Sequence, residues 1–343
     1  MSSRTTISDV AAQAGVSIST VSLAMNGKGA VADSTRQRVR AAAARLGYTP
    51  SRTARGLAVG RTGNFGFVLR EDHFCRSEPF YTRVFLGAEF EARRRGLYVL
   101  LSTVPEHYDA TRAPRFLQEH SVDGVVVAGR VDGAFLAALS DSGIPFVLAD
   151  YAQAGAASVQ LDNAGGAALV ADHFVERGYT RAAFLGADED HPSMDARRRG
   201  FVAAMSSAGH GVPERWVVTA GGAADRPTGA RLASALLDGP GHPRAVFCAN
   251  DALALGLLDA ARAHGLDVPG DLAVVGFDDV EGAALAAPPL TTVRVYKEQL
   301  GEVALGLLAE RVSAETPSED GARFDRAPSV TRIATDLVVR AST

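Results

Sequence analysis

The stretch over residues 7–26, ISDVAAQAGVSISTVSLAMN, constrains this chain more than any other part of the sequence. Apolar residues recur at helical spacing on both sides of Gly15, which interrupts the run: Val10, Ala11 and Ala14 before it, Val21 and Ala24 after it. This pattern predicts two short helices joined by a tight turn, a helix-turn-helix whose second helix enters the major groove of DNA. The residues placed to cap them are Thr6 or Ser8, and Ser17. The alternative is an ordinary pair of surface helices.

A third helix is predicted directly after this pair. It covers residues 33–46, where Ser34 and Gln37 stand at capping-box spacing. Gly47 ends the helix and Pro50 prevents its continuation. The apolar face of this helix is expected to lie across the first two helices.

The charge of the chain is divided unevenly. Residues 1–62 carry nine arginines and lysines against two acidic residues, which gives a net charge of +7. The remainder carries 26 basic and 37 acidic residues, which gives a net charge of −11. A basic head on an acidic body predicts that the head binds a polyanion that the body repels. The alternative is a solvated basic surface without a partner.

Further motifs follow the helix pair in a fixed order along the chain. They are RTARGL at 52–57, VDGVVVAG at 122–129, QLDNAGG at 160–166, Arg197 followed by Gly200 and Phe201, NDALALG at 250–256, VVGFDD at 274–279 and PPLTTVRV at 288–295. Together with the helix pair, this order resembles the lactose-repressor (LacI) family, and the resemblance covers nearly the whole chain. It implies a DNA-binding head, a hinge helix and an effector-binding body.

Beyond residue 63 the sequence pattern indicates an α/β body. Short apolar runs alternate with amphipathic stretches, which is typical of a parallel sheet covered by helices on both faces. The predicted strands form a first series at 65–69, 98–102, 122–128 and 145–149, and a second at 159–162, 182–186, 217–219, 245–249 and 273–276. The predicted fold is an all-α helix-turn-helix head and a body of two doubly wound parallel-sheet lobes, similar to periplasmic binding proteins. A ligand is expected between the lobes.

The predicted domains are a DNA-binding head at 1–49, a hinge at 50–62 and an effector-binding and dimerisation body at 63–343. The resemblance implies three crossings between the lobes, which we place near residue 162, near 289–293 and around 318–328. Lobe 1 is then expected to comprise about 63–161 and 292–322, and lobe 2 about 162–291 and 323–343.

The resemblance assigns base readout to the start of the second helix. The corresponding residues are Ile18 and Ser19, with Leu23 one turn later. Two aliphatic groups and a hydroxyl can contact thymine methyl groups, but they cannot make a bidentate contact with guanine. The alternative for Leu23 is inward packing. The short polar residues suited to phosphate contacts are Thr6, Ser17, Thr20, Ser22 and Asn26.

The hinge is expected to form only on DNA, because a helix of this length is marginal alone in water. By resemblance, Leu57 is the wedge that enters the minor groove at the centre of the operator, with Ala54 on the same face. Arg52 and Arg55 are expected to serve the flanking phosphates or the groove. Gly56 lowers helix propensity next to the wedge. A plain flexible linker is the alternative.

The predicted effector site uses polar and aromatic residues near the ends of body strands. They are Phe80, Tyr81, Asp150, Arg197, Asn250 and Asp278. The resemblance implies that Arg197 binds effector through its planar donor fork, whereas Asp278 can accept from adjacent hydroxyls of a sugar. Core packing is the alternative for Phe80.

Two segments depart from the family pattern near this site. Residues 220–227 read AGGAADRP where many relatives place an aromatic residue, which weakens the case for a conventional hexose. Residues 71–78, EDHFCRSE, form an insertion that is either part of the pocket or a surface loop.

The sequence therefore predicts a transcription repressor controlled by a sugar-like effector, which binds a pseudo-palindromic DNA operator as a homodimer. A solute-binding protein is the second hypothesis, against which the basic head counts. An enzyme is the third, and the GxSxG, HExxH and P-loop motifs are absent. No cofactor or metal is expected, because the two cysteines lack metal-ligand spacing. No membrane contact is expected, and the location is predicted to be the cytoplasm, in association with the nucleoid.

Overall fold

The computed structural model describes residues 5–26, 31–48, 61–73, 80–187, 191–239, 241–314 and 328–343. The chain divides into two units. The first contains residues 1–63 with 121–123, and the second contains 64–120 with 124–343. The predicted boundary between head and hinge, at residues 49 and 50, lies outside the described residues.

Three helices make up the described head: α1 (Ile7–Ala14), α2 (Ile18–Asn26) and α3 (Asp33–Arg45). Each helix contacts the other two. Their buried faces share one small apolar core, formed by Val10, Ala11, Ala14, Val21, Ala24, Val39, Ala42 and Ala43. The predicted helix pair and the third helix across it are confirmed.

The turn between α1 and α2 is set by local interactions. Thr6 caps α1 and forms a capping box with Asp9. Gly15 follows α1 with φ +62°, a left-handed conformation that glycine adopts without steric cost. Ser17 Oγ then accepts from the backbone N–H of Thr20, as the cap prediction for the second helix requires.

The capping-box prediction for α3 is wrong. The helix begins at Asp33 after Ala32, which makes no side-chain capping bond, so Ser34 lies inside the first turn rather than before it. The helix ends at Arg45, with Leu46 as its C-cap, one residue earlier than expected. The buried residues of this helix, Val39, Ala42 and Ala43, lie beyond its first turn, on the face that meets the core of the head.

Two six-stranded sheets form the body, one in each lobe. The first sheet contains β1 (Asn64–Arg70), β2 (Tyr98–Val104), β3 (Gly124–Ala128), β4 (Phe146–Ala149), β5 (Ala157–Leu161) and β11 (Val330–Ile333). The second contains β6 (Ala182–Ala187), β7 (Val217–Ala220), β8 (Ala245–Cys248), β9 (Ala273–Asp278), β10 (Thr291–Arg294) and β12 (Asp336–Val338). Their orders are β2-β1-β3-β4-β5-β11 and β7-β6-β8-β9-β10-β12. Only the β10–β12 pair is antiparallel among these pairings.

Helices cover the sheets and alternate with the strands. Lobe 1 carries α4 (Phe80–Arg95), α5 (Arg115–Gln118), α6 (Gly133–Asp141) and α12 (Lys297–Ala314). Lobe 2 carries α7 (Asn163–Glu176), α8 (Pro192–Ser207), α9 (Arg226–Leu237), α10 (Asp251–Ala263) and α11 (Glu281–Leu285). Short 3₁₀ turns occur at Glu71–His73, Ala110–Arg112 and Glu214–Trp216. None of the described helices is both long and apolar enough to cross a membrane.

The lobe boundaries differ from the predicted ones at two of the three crossings. The strand at 159–162, predicted in the second series, is β5; it pairs with β4 in lobe 1 and ends at Leu161, so the first crossing lies near residue 162 as predicted. Because β10 pairs with β9, the second crossing follows Arg294 rather than lying near 289–293. Because β11 pairs with β5, the third crossing lies between Ile333 and Asp336 rather than at 318–328. Strand partners are chosen across the fold, so local apolar runs do not reveal them.

The strand orders fix where a ligand can bind. In each lobe the order reverses at one point, between β1 and β3 in the first sheet and between β6 and β8 in the second. Doubly wound sheets bind ligands at such switch points, outside the carboxyl ends of the strands. The strands β3, β6, β8 and β9 are buried along their whole length, which leaves their ends as the accessible part.

Candidate functional site

The exposed face of α2 carries the three residues predicted to read DNA bases. Ile18 is 50% exposed and Leu23 is 43% exposed, so the alternative that Leu23 packs inward is wrong. Ser19 is exposed, and its hydroxyl lies 2.8 Å from that of Ser17. Val21, on the opposite face, is fully buried. The second helix therefore presents an aliphatic surface to solvent.

The residues predicted to contact phosphate lie around the ends of α1 and α2. Ser17 and Thr20 share a hydroxyl–hydroxyl hydrogen bond of 2.8 Å, and Ser22 is half-buried. Thr6 donates through its hydroxyl to the Asp9 carboxylate. The side chain of Asn26 lies outside the described part of the structure. The hinge residues Arg52, Ala54, Arg55 and Leu57 also lie outside it.

A charged cluster joins the two lobes of the body. Its members come from the strand ends and helix starts of both lobes: Tyr81, Asp150 and Lys297 from lobe 1, and Ser193, Arg197 and Asp278 from lobe 2. All six side chains are buried, although four of them are acidic or basic: Asp150, Arg197, Asp278 and Lys297. Buried charges need partners, and each cation of the cluster contacts Asp278.

Asp150 is the lobe 1 acceptor of this cluster. It follows β4 with φ +60°, a strained conformation for a residue other than glycine. Its carboxylate accepts from the Tyr81 hydroxyl at 3.0 Å and from the Ser193 hydroxyl at 3.2 Å. The bond to Ser193 crosses between the lobes. Burial raises the pKa of Asp150, and Arg197 opposes that rise.

Arg197 is held on all sides within lobe 2. Its Nε donates to Asn163 Oδ1 at 2.8 Å and its Nη1 to the Ala249 carbonyl at 2.7 Å. Its guanidinium carbon lies 3.8 Å from the centre of the Phe277 ring, in a cation–π contact. Its Nη2 lies 3.3 Å from Asp278 Oδ1. The arginine therefore reaches the switch point between β6 and β8 with its fork already oriented.

Asp278 occupies the end of β9 with φ +112°. Its Oδ1 forms the ion pair with Arg197 but receives no well-aligned hydrogen bond from the described residues. Burial raises the pKa of Asp278, and the nearby Arg197 and Lys297 cations limit the rise. A buried carboxylate oxygen with spare acceptor capacity suits a ligand that donates a hydrogen bond.

Sequence reasoning missed Lys297 and Ser193. Lys297 begins α12 in lobe 1, and its ammonium donates to the main-chain carbonyl of Asp278 across the lobes. The Lys297 Nζ also lies 5.8 Å from the centre of the Phe80 ring. The sequence does place Lys297 shortly after a predicted crossing between the lobes, and this position could have indicated a contact between them. Nothing in the sequence around Ser193 indicates its contact.

Two predicted effector residues have structural partners instead. Asn250 caps α10 by accepting from the Leu253 N–H, and its amide donates to the Ala224 carbonyl. Phe80 packs edge to face on Tyr81, with ring centres 5.0 Å apart, and against the apolar core. Asn250 and Phe80 therefore lie near the cluster, but they do not take part in its hydrogen bonds or ion pair.

A cleft of about 600 Å³ has Tyr151, the residue after Asp150, in its lining, although the six cluster residues do not line it. It is lined by strand-end residues of lobe 1 and by a lobe 2 loop, including Arg70, Glu106, His107, Arg130, Tyr151 and Gly222. Gly222 and Ala223 belong to the AGGAADRP segment, so this segment lines the cleft with small residues rather than with an aromatic ring. In the insertion, residues 71–73 form a 3₁₀ turn and residues 74–78 lie outside the described part of the chain.

Asp251 is not a member of the cluster, but it holds the loop that follows Asp278. It is fully buried; one carboxylate oxygen accepts from the Thr292 hydroxyl and the other from the Val280 N–H. These bonds fix the loop after Asp278. Burial, followed by the charge of Asp278, raises the pKa of Asp251 well above its usual value.

Replacing Asp251 with asparagine is therefore expected to stabilise the protein as pH rises. The wild-type carboxyl contributes fully below about pH 4 and loses that contribution as pH rises through its raised folded-state pKa. Asparagine can still accept from the Val280 N–H through Oδ1, and its amide N–H can donate to the Thr292 hydroxyl oxygen. Because asparagine does not ionise, the variant should be more stable than wild type at pH 8, and this advantage should disappear near pH 4. Urea unfolding across pH 4–8 measures the difference.

Asp259→Asn is the matched control, with the opposite sign. Hydrogen bonds from Arg226 lower the pKa of Asp259 on the surface of lobe 2. Its stabilising contribution is present above about pH 4 and is lost as pH falls, so the control should lose stability at neutral pH. If the effect of Asp251→Asn did not change with pH, this would contradict the raised pKa that burial gives the Asp251 carboxyl.

Comparison with known proteins places these features in one family. Residues 6–51 match the family of bacterial regulatory proteins named lacI, and residues 171–343 match the periplasmic binding protein-like domain. The chain is 34% identical to the HTH-type transcriptional repressor PurR of Mannheimia succiniciproducens, over 90% of this chain and 92% of that protein. It is 33% identical to the ribose operon repressor of Escherichia coli K12, over 91% and 94%.

Solved structures agree with the fold. A complex of the transcriptional regulator CelR with cellobiose has a TM-score of 0.71 at 30% identity, covering 99% of this chain and 100% of the other. The lac repressor dimer bound to operator and an anti-inducer has a TM-score of 0.80 at 24% identity, covering 99% of both chains, which supports the fold alone. The chain therefore belongs to the lacI family of bacterial regulatory proteins.

Proposed function

We propose that this chain is a transcription repressor whose affinity for operator DNA is controlled by a small polyhydroxylated effector, such as a sugar, bound between the lobes. The observation that carries the effector site is the Asp278 carboxylate: it is buried at the carboxyl end of β9 and keeps spare acceptor capacity beside Arg197. The printed names of relatives support the class, since CelR was solved with cellobiose and another relative is a ribose operon repressor.

In this proposal the cluster senses the effector. Asp278 and Asp150 accept from ligand hydroxyls, Arg197 donates to a ligand oxygen, and Tyr81 and Phe80 shape the wall of the pocket. Within the cluster, hydrogen bonds from Ser193 to Asp150 and from Lys297 to the Asp278 carbonyl join the lobes. A ligand that competes for these acceptors changes the relative stability of lobe arrangements, by no more than its difference in affinity for them.

The head performs the DNA binding. Ile18, Ser19 and Leu23 enter the major groove, while Ser17, Thr20 and Ser22 contact phosphates. The hinge residues Arg52, Ala54, Arg55 and Leu57 are proposed to enter the minor groove. The chain acts as a homodimer on a pseudo-palindrome, in the cytoplasm at the nucleoid, and it has no catalytic role. Exposed apolar side chains on the body, such as Leu285 at 78% exposure, are candidates for the dimer interface.

The test of DNA binding is selection of bound duplexes from a random DNA library by the full-length protein. Enrichment of a palindrome supports the repressor, and its affinity should fall steeply as salt increases, because phosphate contacts release counterions. Repeating the selection with a panel of monosaccharides, disaccharides and nucleobases identifies the compound that raises or lowers operator affinity. Failure to enrich any sequence with or without the panel would contradict the proposal.

Asp278→Asn tests the effector site. The variant keeps the shape of the side chain but loses its charge, and asparagine tolerates a positive φ better than most residues. We expect DNA affinity to stay within about threefold of wild type, and the effector concentration for half response to rise about 30-fold or more, as for a lost hydrogen bond to a charged group. Asp259→Asn should leave both unchanged. An unaltered response in Asp278→Asn would show that the effector binds elsewhere.

A further inference from the structure

The solvent-facing side of α2 is aliphatic where a recognition helix could carry polar groups. Ile18 and Leu23 are 50% and 43% exposed, and neither is a member of the buried apolar core of the described head residues. The other aliphatic residues of α2 next to them, Val21 and Ala24, are fully buried in that core. The core of the head is therefore formed without Ile18 and Leu23. The stability of the head does not explain why aliphatic residues stand at these exposed positions.

The hydroxyls on the same face interact with one another. Ser17 Oγ lies 2.8 Å from Ser19 Oγ and 2.8 Å from Thr20 Oγ1, and it accepts from the Thr20 N–H. The long bidentate donors that read guanine or adenine, arginine, asparagine and glutamine, do not occur between residues 17 and 25. The accessible chemistry of this face is therefore mainly apolar.

We propose that α2 reads pyrimidine 5-methyl groups, in thymine or in 5-methylcytosine, through Ile18 and Leu23. This inference rests on the proposed DNA-binding function of the head. In the major groove the 5-methyl group is the apolar feature of the base edges, whereas the remaining features are hydrogen-bond donors and acceptors. A duplex is the occupant that the head favours, because residues 1–62 carry a net charge of +7, including Arg38, Arg40 and Arg45 on α3.

A regulatory consequence follows from this chemistry. Thymine and 5-methylcytosine present the same methyl group, and cytosine and uracil lack it. Operators with thymine at the contacted positions bind whatever the methylation state of the DNA. Operators with cytosine at those positions bind more tightly after methylation, so the protein responds to cytosine methylation at such sites.

Three parallel selections with the full-length protein test the inference. One random duplex library contains thymine, a second contains uracil in its place, and a third contains uracil together with 5-methylcytosine in place of cytosine. We expect thymines at fixed half-site positions from the first library, and loss of selection at those positions from the second. The third should restore selection, with 5-methylcytosine there. For one selected duplex, each thymine-to-uracil change should weaken binding about fourfold, the effect of burying one methyl-sized group.

Variants assign the two positions. Ile18→Ala should abolish the thymine-to-uracil penalty at one half-site position, and Leu23→Ala should abolish it at another. Ser22→Ala, a proposed phosphate contact, should weaken thymine and uracil duplexes equally. Thermal unfolding of each variant checks that the head remains folded, as expected for changes at exposed side chains.

The outcomes separate this inference from the proposed function. A palindrome enriched equally from the thymine and uracil libraries would overturn methyl readout and leave the repressor function standing. A changed oligomeric state in Ile18→Ala or Leu23→Ala, with the uracil penalty intact, would assign the aliphatic face to a second copy of the chain and also overturn methyl readout. No enrichment from any library, with or without the panel of sugars and nucleobases, would overturn the proposed function itself.

Discussion

Replacing Arg197 with methionine is expected to lower the free energy of unfolding by about 3–5 kcal/mol at pH 7, as for loss of one partner of a buried ion pair. Arg197 is 2% exposed, and it binds Asn163, the Ala249 carbonyl and Asp278. Methionine fills most of the volume but leaves Asp278 buried with Lys297 as its remaining cation. Urea unfolding of the full-length protein measures the loss, and the effector response should disappear with it.

Two further variants show whether charge causes that loss. Arg199→Met lies on the same helix, where the arginine is exposed and pairs with Asp195, and should cost less than about 1 kcal/mol. The double variant Arg197→Met, Asp278→Asn should recover part of the stability, because it removes the uncompensated carboxylate. The loss in Arg197→Met should also shrink as pH falls, since the buried carboxyls then take up protons. A loss equal to that of Arg199→Met would contradict the assigned role.

Gly87→Ala is expected to destabilise the body by about 3 kcal/mol, the upper part of the range for overpacking. A methyl group at Gly87 would lie 1.8 Å from the Glu298 carbonyl oxygen, and one at Gly301 would lie 1.8 Å from the Val84 carbonyl oxygen. Because both obstacles are main-chain atoms, no rotamer change relieves them, and α4 and α12 must separate. Gly301→Ala should have a similar effect.

The control for this pair is Gly211→Ala. A methyl group there has open space around it, and the backbone φ is not positive, so stability should change by less than about 0.5 kcal/mol. The two helices begin with Phe80–Tyr81 and with Lys297, so separating them should also weaken the effector response at temperatures where the variant remains folded. Unchanged unfolding in both glycine variants would contradict the close helix approach.

The head was largely predictable from the sequence because its signals are local. The cap at Thr6, the left-handed turn at Gly15 and the spacing of Val10, Val21 and Ala24 each act over a few residues. Local signals also misled at α3. Ser34 stands at capping spacing, but α3 begins at Asp33 after Ala32, whose side chain makes no capping bond.

The site was predictable only in part. Tyr81, Asp150, Arg197 and Asp278 were identified by motif and by strand ends, and the fold brings them into one buried cluster. Asn250 matched the same criteria, but its side chain caps α10 and binds the Ala224 carbonyl. A polar residue at a strand end is thus predicted to lie near the cleft. Its residue type does not show whether its side chain faces the cleft or bonds to the neighbouring backbone.

By itself the sequence determined the helix-turn-helix head, the alternating α/β body and the charge difference between them, because periodicity and composition express these directly. The tertiary structure decided that β5 and β11 share a sheet, that Leu23 faces solvent, and that Lys297 reaches Asp278. These facts depend on contacts between segments up to about 170 residues apart. Such pairings depend on the free energy of the whole fold. Several strands or cations share the same local sequence pattern, and only the packing of the complete chain determines which of them pair.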